Sequence, residues 1–553
     1  MKLTARRIAL VSTALAVGSL TACNGGGDDG EPLPWRNPSD LRASCASLIA
    51  YASSVPNTSV TSTQYVEGGT TRPAGVTTGP FLPGHCIVQG QTNPRTGANN
   101  AAFAIGWEVR LPDEWSHRFF FQGGGGNDGA IRPAIGTNTG DLGALSPALT
   151  RGFAVASTDG GHTGTAASSY GFDSQARVDH AYNAYDKTAV VAKDLQKVYY
   201  GALPDKSYFI GCSGGGRQGM MFSQRFPDYF DGIVAGAPSM RVASGASISA
   251  TWETQAYTAI APKDASGNPV LAQAFTDADL QLLGSAILAA CDARDGIADS
   301  LVNDIQGCTF DPAVLTCSGA KGPTCLTAAQ VAALKKGFGG PKNSTGQALY
   351  ATWPWDFGIT GSDWRNWKLG FSTTATPNSR FVTLIQDAMA HEFFTPPDPS
   401  FSMYNFNFDT DPARLESYSQ IYDSYRDATL AAYKARGSKL ILHHGMGDAI
   451  FSPTDTIDYY NRLAANNGGL NATKTWARAF LVPGMNHCLG GPTVAGYDGL
   501  QAIVDWVEKG VAPDQMVATS NTFPGRTRPV CAYPTQARYV GGNPESASSF
   551  ACQ

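Results

Sequence analysis

The chain has 553 residues, of which 42% are hydrophobic and 15% charged, and its formal net charge is −5. This composition supplies enough apolar side chains for a sizeable core and excludes wholesale disorder. The slightly acidic balance argues against a nucleic-acid partner, because neutralising phosphates requires a clustered Lys/Arg surface that the sequence lacks.

The amino-terminal residues have the pattern of an export signal: a basic start, an apolar run over 8–20, and small residues up to Cys23. The run is too short for a permanent membrane-spanning helix. Its ending, Leu-Thr-Ala-Cys, is similar to the bacterial lipoprotein box. We therefore expect a lipoprotein-like signal peptide over 1–23 and a flexible tether over 24–34, with ordinary cleavage near Cys23 as the alternative. The mature protein is expected to be exported, as a periplasmic, outer-membrane or secreted protein, with membrane contact only through a lipid on Cys23.

From about residue 103, strand-like and helix-like segments alternate. Apolar runs and helical spacing predict strands at 118–121, 153–157, 207–210, 232–235, 439–442 and 479–482, and helices at 183–200, 216–226 and 500–507. This alternation predicts an α/β fold with a parallel sheet covered on both faces.

The alternation is interrupted between residues 239 and 430, where tryptophan, proline, glycine and four cysteines accumulate. This segment is predicted to be an inserted, cap-like lid domain over a hydrolase domain formed by 35–238 and 431–553. The last residues, 522–553, are predicted to be irregular.

The motif Gly211-x-Ser213-x-Gly215 follows a predicted strand and precedes a predicted helix, which is the context of a nucleophile elbow. Flanking glycines let the turn tighten and lift the serine hydroxyl above the sheet. Since a free serine is a weak nucleophile, a base must accept its proton.

Candidate partners for Ser213 follow two later strands: Asp448 after 439–442, and His487 after 479–482. The order Ser, Asp, His is that of α/β-hydrolases, with His487 as general base and Asp448 orienting its imidazole. His443 or His444 as the base and Asp455 or Asp458 as the acid are less favoured alternatives.

Four consecutive glycines, 123–126, follow an early strand at the position where this fold places its oxyanion hole. Backbone N–H groups from this run, with Gly124 as the candidate, and from Gly214 are expected to stabilise the tetrahedral intermediate. Which member of the run donates is left open.

The chain has eleven cysteines, and setting Cys23 aside leaves ten. An even number of cysteines in an exported chain predicts up to five disulfides. Local spacing favours the pairs Cys317–Cys325 and Cys531–Cys552 and leaves the other pairings open.

Together, Cys212-Ser213, Asp448 and His487-Cys488 resemble the Cys-Ser, Asp, His-Cys pattern of the tannase/feruloyl esterase family. The resemblance covers almost all of the mature chain, including Gly-Cys-Ser-Gly-Gly-Gly-Arg-Gln at 211–218, Val-Ala-Gly-Ala-Pro at 234–238 and Trp-Pro-Trp-Asp at 353–356. It implies an α/β-hydrolase fold with a large inserted lid. It also implies the disulfides Cys45–Cys86, Cys212–Cys488, Cys291–Cys308, Cys317–Cys325 and Cys531–Cys552.

An acidic stretch in the insertion, 292–299, places three aspartates around a glycine, and such crowding is repulsive unless a hard cation neutralises it. The stretch resembles the calcium loop of the same family. The resemblance implies a structural calcium held by the side chains of Asp292, Asp295 and Asp299 and the carbonyls of Ile297 and Leu301.

The resemblance implies a carboxylic ester hydrolase acting on small esters of aromatic acids of the feruloyl, galloyl or terephthaloyl type. Aromatic residues of the insertion are expected to stack on the acyl group, and Arg365 or Lys368 to pair with an anionic substituent. A non-catalytic surface lipoprotein that binds polyphenol or carbohydrate is the alternative, and a serine peptidase on the same fold is a third possibility.

Overall fold

The computed structural model describes residues 38–73, 80–137, 146–164 and 168–553. The predicted signal peptide, Cys23 and the tether lie outside these residues. Within the described part of the chain, no helix is both long and apolar enough to cross a membrane.

The centre of the molecule is a nine-stranded sheet with the order β1-β2-β3-β5-β4-β6-β7-β8-β9. Strands β10 with β11 and β12 with β13 form two separate antiparallel pairs. The strands are β1 Thr58–Val66, β2 His85–Thr96, β3 Ala102–Pro112, β4 Arg118–Gln122, β5 Ala154–Thr158, β6 Lys206–Cys212, β7 Gly232–Gly236, β8 Lys439–Gly445, β9 Ala477–Val482, β10 Gln515–Thr519, β11 Thr527–Cys531, β12 Ala537–Tyr539 and β13 Phe550–Cys552.

Six neighbouring strands, from β5 through β4 and β6 to β9, are parallel, whereas β1, β2 and β3 extend the sheet in antiparallel pairing. The register pairs Cys212 of β6 with Gly236 of β7, and Gly236 with His443 of β8. The carboxyl ends of these strands therefore meet at one edge, which is where open α/β sheets carry their ligand sites.

The α-helices of the described residues are α1 Pro38–Ser47, α2 Ser174–Val178, α3 Ala184–Tyr200, α4 Gly214–Arg225, α5 Ser247–Thr258, α6 Asp277–Cys291, α7 Ala328–Phe338, α8 Ser362–Lys368, α9 Gln386–Ala388, α10 Pro412–Tyr422, α11 Ala431–Ala435, α12 Pro453–Asn466, α13 Leu470–Thr473 and α14 Gly499–Lys509. Short 3₁₀ and π turns connect several of them, including the π turn Phe381–Ile385.

Alternate residues of the central strands enter two different cores, as the period of a strand requires. Phe209 of β6 packs in a core with residues of α3, α4 and α12, whereas its neighbours Tyr208 and Ile210 pack in a core with α14. A third apolar core lies within residues 239–430, to which α5–α10 belong, with contributions from Ala181 and 449–451. We call residues 239–430 the insertion.

The predicted strands and helices from 118 onward are all present, with ends that differ by a few residues. Two expectations need correction. The antiparallel strands β1 and β2 precede the predicted alternation, and the carboxyl-terminal segment predicted to be irregular contains β11, β12 and β13. The sequences of β1 and β2 explain the first omission, because polar and apolar residues alternate in such antiparallel strands and do not form a continuous apolar run.

Candidate active site

Ser213 occupies a sharp turn between β6 and α4, with φ of 63° and ψ of −125°. This backbone conformation is unfavourable for a residue with a side chain, and such strain concentrates at functional positions. Close packing makes glycine necessary nearby: a Cβ on Gly211 would lie 2.7 Å from the backbone of Gly215. The Ser213 N–H donates to the Gly236 carbonyl at 2.9 Å, which ties the turn to β7.

His487 and Asp448 form a hydrogen-bonded pair at the same edge of the sheet. The two residues lie on the loops that follow β9 and β8, and His487 Nδ1 donates to Asp448 Oδ2 at 2.7 Å. The Asp448 side chain is fully buried and that of His487 is 12% exposed. This hydrogen bond fixes the imidazole tautomer, so that Nε2 is the nitrogen that can accept a proton.

The Asp448 carboxylate is held by further donors. His444 Nε2 lies 3.1 Å from the same Oδ2 atom, and the N–H groups of Ile450 and Phe451 donate to Oδ1 at 2.7 and 3.2 Å. Burial by itself raises the pKa of Asp448, but the charge of His487 and the hydrogen bonds from both imidazoles outweigh it and bring that pKa well below its usual range. Asp448 is therefore an anion that does not rotate freely.

The residues considered as alternative bases and acids lie in other surroundings. His443 is buried, and its Nδ1 lies 2.8 Å from the Tyr497 hydroxyl. Burial lowers the pKa of His443 to about 3. His444 is fully buried, with Nδ1 2.8 Å from the Thr456 hydroxyl and Nε2 3.1 Å from Asp448 Oδ2, while Asp455 and Asp458 lie on α12. The structure brings Asp448, not Asp455 or Asp458, to His487.

A disulfide between Cys212 and Cys488 joins the residue before Ser213 to the residue after His487. It connects positions 276 residues apart in sequence. The other four disulfides are the pairs implied by the family resemblance: Cys45–Cys86, Cys291–Cys308, Cys317–Cys325 and Cys531–Cys552.

Ser213 and His487 line the same cavity, which has a volume of about 630 Å³. The loop of residues 123–126, which we call the glycine loop, forms another part of its wall, and Trp367, Arg380 and Leu384 reach it from the insertion. The Trp367 ring stands edge-on to the His487 imidazole, with centroids 6.2 Å apart, and the Arg380 guanidinium lies 4.5 Å from the Trp367 ring centroid. A cavity of this size accommodates a small aromatic molecule.

The structure contradicts the prediction that Gly124 donates to the oxyanion. Its N–H donates to Gln218 Oε1 at 2.9 Å, and the N–H groups of Gly123 and Gly125 donate to Ile210 O and to Asp128 Oδ1. The N–H of Gly126 is the next one along the glycine loop.

Gly214 is the first residue of α4, so its N–H has no acceptor within the helix. A Cβ on Gly214 would lie 3.1 Å from Gly126 O and 3.6 Å from Gly126 N, so the two backbones are in contact. The positive end of the α4 dipole also points toward this position.

The prediction for Arg365 is wrong. Its side chain is buried in the insertion, where it donates to the carbonyls of Ala272 and Phe275 and pairs with Asp277. Lys368 is likewise buried and pairs with Glu253 at 2.6 Å. These two cations hold the insertion together, and neither lines the cavity of Ser213.

Two other arginines reach the cavity, Arg132 after the glycine loop and Arg380 before the π turn Phe381–Ile385. Both are exposed. Sequence reasoning missed them because each lies in an irregular segment with no periodicity or motif. Proximity of 132 to the glycine run was the one available signal.

The acidic stretch of the insertion forms a compact turn. Asp292 accepts from the N–H groups of Asp299 and Ser300, Asp295 accepts from Asn303, and Asp299 pairs with Arg528. Burial raises the pKa of Asp292 and, to about 6, that of Asp295, with a further contribution from the charge of Asp299.

Across the described ranges, no group of three or more His, Cys, Asp or Glu side chains is arranged to hold a metal ion. The donor chemistry nevertheless fits a hard cation, because two buried carboxylates, whose pKa values burial raises, lie in the same 3₁₀ turn. The third carboxylate of the turn, that of Asp299, forms an ion pair with Arg528.

A parallel-rich α/β sheet, with a serine on a strained strand-to-helix turn and a His–Asp pair across one cavity, is the arrangement of α/β-hydrolase-like enzymes. Residues 86–553 match the family described as tannase and feruloyl esterase. The chain belongs to this family.

Individual relatives agree with this assignment. The chain is 44% identical over 521 residues to mono(2-hydroxyethyl) terephthalate hydrolase of Piscinibacter sakaiensis, a match covering 85% of each protein. It is 29% identical over 474 residues to feruloyl esterase B of Aspergillus niger, covering 80% of this chain and 83% of the relative. Among solved structures, feruloyl esterase B from Aspergillus oryzae superposes with a TM-score of 0.77 at 27% identity, covering 93% of this chain and all of the other.

Proposed function

We propose that this protein is a serine carboxylic ester hydrolase that cleaves esters of aromatic acids through an acyl-enzyme. The observation that carries the proposal is the His487–Asp448 hydrogen bond of 2.7 Å on the wall of the cavity that Ser213 also lines. The relatives are named hydrolases of aromatic esters, and nothing supports the alternative of a non-catalytic binding protein.

In the proposed reaction, the Ser213 hydroxyl attacks the ester carbonyl while His487 Nε2 accepts its proton. Asp448 keeps Nδ1 protonated and stabilises the imidazolium cation. His487 then donates the proton to the departing alcohol, and water cleaves the acyl-enzyme by the same route with His487 as base. The Cys212–Cys488 disulfide holds the two loops on which Ser213 and His487 lie.

The proposed oxyanion donors are the N–H of Gly214 and, in place of Gly124, that of Gly126. Their support is the contact between the two backbones and the engagement of the three preceding glycine N–H groups elsewhere. Donors of this kind are worth about 3 kcal/mol each in the transition state.

Within aromatic esters, the cavity favours an acid with a second carboxylate. Trp367 contributes an aromatic ring to the cavity wall, where Arg132 and Arg380 are also exposed. A half-ester of terephthalic acid, the substrate class named for the bacterial relative, carries such a carboxylate opposite its ester. Feruloyl and galloyl esters lack it.

We also propose that the insertion acts as a lid. It has its own apolar core, and it contributes Trp367, Arg380 and Leu384 to the cavity while the catalytic residues lie on the loops of the sheet. Substrate selection would then depend on the insertion, and the hydrolase domain would consist of 35–238 and 431–553.

The experiment that tests the function is hydrolysis of mono(2-hydroxyethyl) terephthalate, methyl ferulate, methyl gallate and an aromatic amide by the wild type and Ser213→Ala. We expect turnover of the first substrate above the other esters, none of the amide, and loss of all turnover in Ser213→Ala. Ser223→Ala, on the helix α4 that follows Ser213 and with its hydroxyl donating to the Met220 carbonyl, is the matched control. Ester turnover that survives in Ser213→Ala contradicts the proposed nucleophile, and amide turnover identifies a peptidase.

We propose a structural calcium at the acidic turn, held by Asp292, Asp295 and Asp299 with the carbonyls of Ile297 and Leu301. Its chemistry would be neutralisation of carboxylate charge, and the ester reaction does not use it. Asp299 would have to share its carboxylate between the cation and Arg528. Calorimetric titration of chelator-treated protein with calcium, compared with Asp295→Asn, tests the site; equal binding by both proteins contradicts it.

For localisation, we propose export with lipidation of Cys23. The support is the sequence pattern of residues 1–23 and the five disulfides, which persist in oxidising compartments. Mass spectrometry of the mature amino terminus tests it, with Cys23→Ser as control. An unlipidated cleaved terminus indicates a secreted or periplasmic protein.

A further inference from the structure

A buried polar pair connects the helix behind the nucleophile to the glycine loop. Gln218 lies on α4, one turn after Gly214, and Asp128 follows the loop; they are 1% and 7% exposed. Gln218 Nε2 donates to Asp128 Oδ2 at 2.8 Å. Nothing in the proposed reaction uses either side chain directly.

Each member of the pair also holds one N–H of the loop. Gln218 Oε1 accepts from Gly124 at 2.9 Å, and Asp128 Oδ1 accepts from Gly125 at 2.8 Å. Two consecutive backbone N–H groups are thereby fixed in direction. The next peptide in the chain carries the N–H of Gly126, whose backbone contacts that of Gly214.

The loop has little room for another arrangement. A Cβ on Gly124 would come within 2.6 Å of the Asp128 carboxylate, and one on Gly160 would lie 2.9 Å from Asp128 Cβ. Asp128 itself has a φ of 36°, an unfavourable value for a residue with a side chain. A strained, tightly enclosed residue with both carboxylate oxygens engaged is the pattern of a positioning group.

We infer that Asp128 and Gln218 are positioning residues that hold the glycine loop at the place where its backbone can bind the oxyanion. The inference rests on the proposed ester hydrolysis. It predicts that the pair affects stabilisation of the tetrahedral state and leaves binding of the planar ester unchanged.

The test is an exchange of the acid and the amide between the two positions. Asp128→Asn alone places the new amide NH₂ against the NH₂ of Gln218, so that two donors face each other. Gln218→Glu alone places its carboxylate beside that of Asp128. In the double variant D128N/Q218E, the amide at 128 can donate to the carboxylate at 218 and accept from Gly125, while that carboxylate accepts from Gly124. All three hydrogen bonds are then possible again, with unchanged net charge and nearly unchanged volume.

We expect each single variant to lower kcat by about 10- to 100-fold with KM within about threefold of wild type, since loss of a whole oxyanion donor costs about 10²- to 10³-fold. The double variant should recover to within about threefold of wild type. Gln218→Met, which removes the hydrogen bonds without adding charge, supplies the single-site result if Gln218→Glu does not fold.

A second measurement, the binding of inhibitors, tests the geometry of the glycine loop without ester hydrolysis. Phenylboronic acid forms a tetrahedral adduct with an active-site serine, whereas benzoic acid stays planar. We expect the single variants to weaken binding of the boronic acid by about tenfold or more without changing that of benzoate, and the double variant to restore it. Asp423→Asn is the matched control, because Asp423 is a buried carboxylate that accepts backbone N–H bonds from Ala243 and Ser244 away from the cavity.

Several results overturn the inference: single variants with wild-type kcat and boronate binding, losses confined to KM, or a double variant as impaired as the worse single. An effect of Asp423→Asn equal to that of Asp128→Asn overturns it as well, because the loss is then general destabilisation. Failure of the proposed function has a different signature, namely no ester turnover by the wild type or full turnover by Ser213→Ala.

Discussion

The disulfide between Cys212 and Cys488 makes a quantitative prediction about stability and catalysis together. It closes a loop of 276 residues, whereas Cys317–Cys325 closes one of eight. The loop-closure relation for the unfolded chain gives about 5.6 kcal/mol for the first and about 2.5 kcal/mol for the second. Replacing both cysteines by alanine should therefore cost about 3 kcal/mol more at the long loop than at the short one.

The two double variants, C212A/C488A and C317A/C325A, serve as each other's control, because both remove one bridge and two sulfur atoms. Guanidinium unfolding followed by circular dichroism measures the free energies. Initial rates on an aromatic ester, taken well below the unfolding transition, measure kcat of the folded protein.

We expect kcat to fall by at least tenfold in C212A/C488A and to stay at the wild-type value in C317A/C325A, because only the first bridge adjoins Ser213 and His487. A folded C212A/C488A protein with wild-type kcat would refute the positioning role. Equal loss of stability in the two variants would refute the loop-length reasoning.

Three further predictions follow from the site. Asp448→Asn should lower kcat by about 10³- to 10⁴-fold at unchanged KM in steady-state assays, because the imidazole loses its orienting anion, while Asp458→Asn on the exposed side of α12 should not. Arg380→Ala should raise KM for mono(2-hydroxyethyl) terephthalate by about 10-fold or more, because the substrate carboxylate loses a charge-assisted hydrogen bond. The KM for methyl benzoate, which has no second carboxylate, should not change. Equal effects on both esters would contradict carboxylate binding. Burial raises the pKa of Asp295 to about 6 in the folded protein without calcium, whereas the unfolded chain releases this proton near pH 4. Because the folded state then binds more protons than the unfolded state, the free energy of unfolding falls as pH rises from about 4 to 6. Calcium should remove that dependence, so the calcium-induced rise in Tm, measured by scanning calorimetry, should grow over this pH range and be lost in Asp295→Asn.

The sequence was most informative where local chemistry and topology coincide. Ser213 was recognisable because a strand, two glycines and a helix must surround a nucleophile on this fold, and Asp448 and His487 because they follow later strands of the same sheet. Parallel pairing places those carboxyl ends together, so the convergence of distant residues followed from strand order.

Contacts that depend on the path of irregular segments were not predictable in the same way. Arg365 and Arg380 are both cations of the insertion, yet one is enclosed by carbonyls of its own segment and the other reaches the cavity. Likewise, nothing in four identical glycines indicates that Gln218 engages the N–H of Gly124. These assignments depend on tertiary packing, which residue type and spacing do not determine.

The cavity is lined by two parts of the chain that pack around different apolar cores, and this has a consequence for how its specificity can change. The reacting atoms lie on short loops fixed to the sheet, whereas Trp367, Arg380 and Leu384 belong to a segment with its own apolar core. Exchanging residues of that segment can alter which acid is accepted while the proton-transfer geometry stays intact. Libraries aimed at new aromatic-ester substrates are therefore best confined to 362–385, with the loops that carry Ser213, Asp448 and His487 left unchanged.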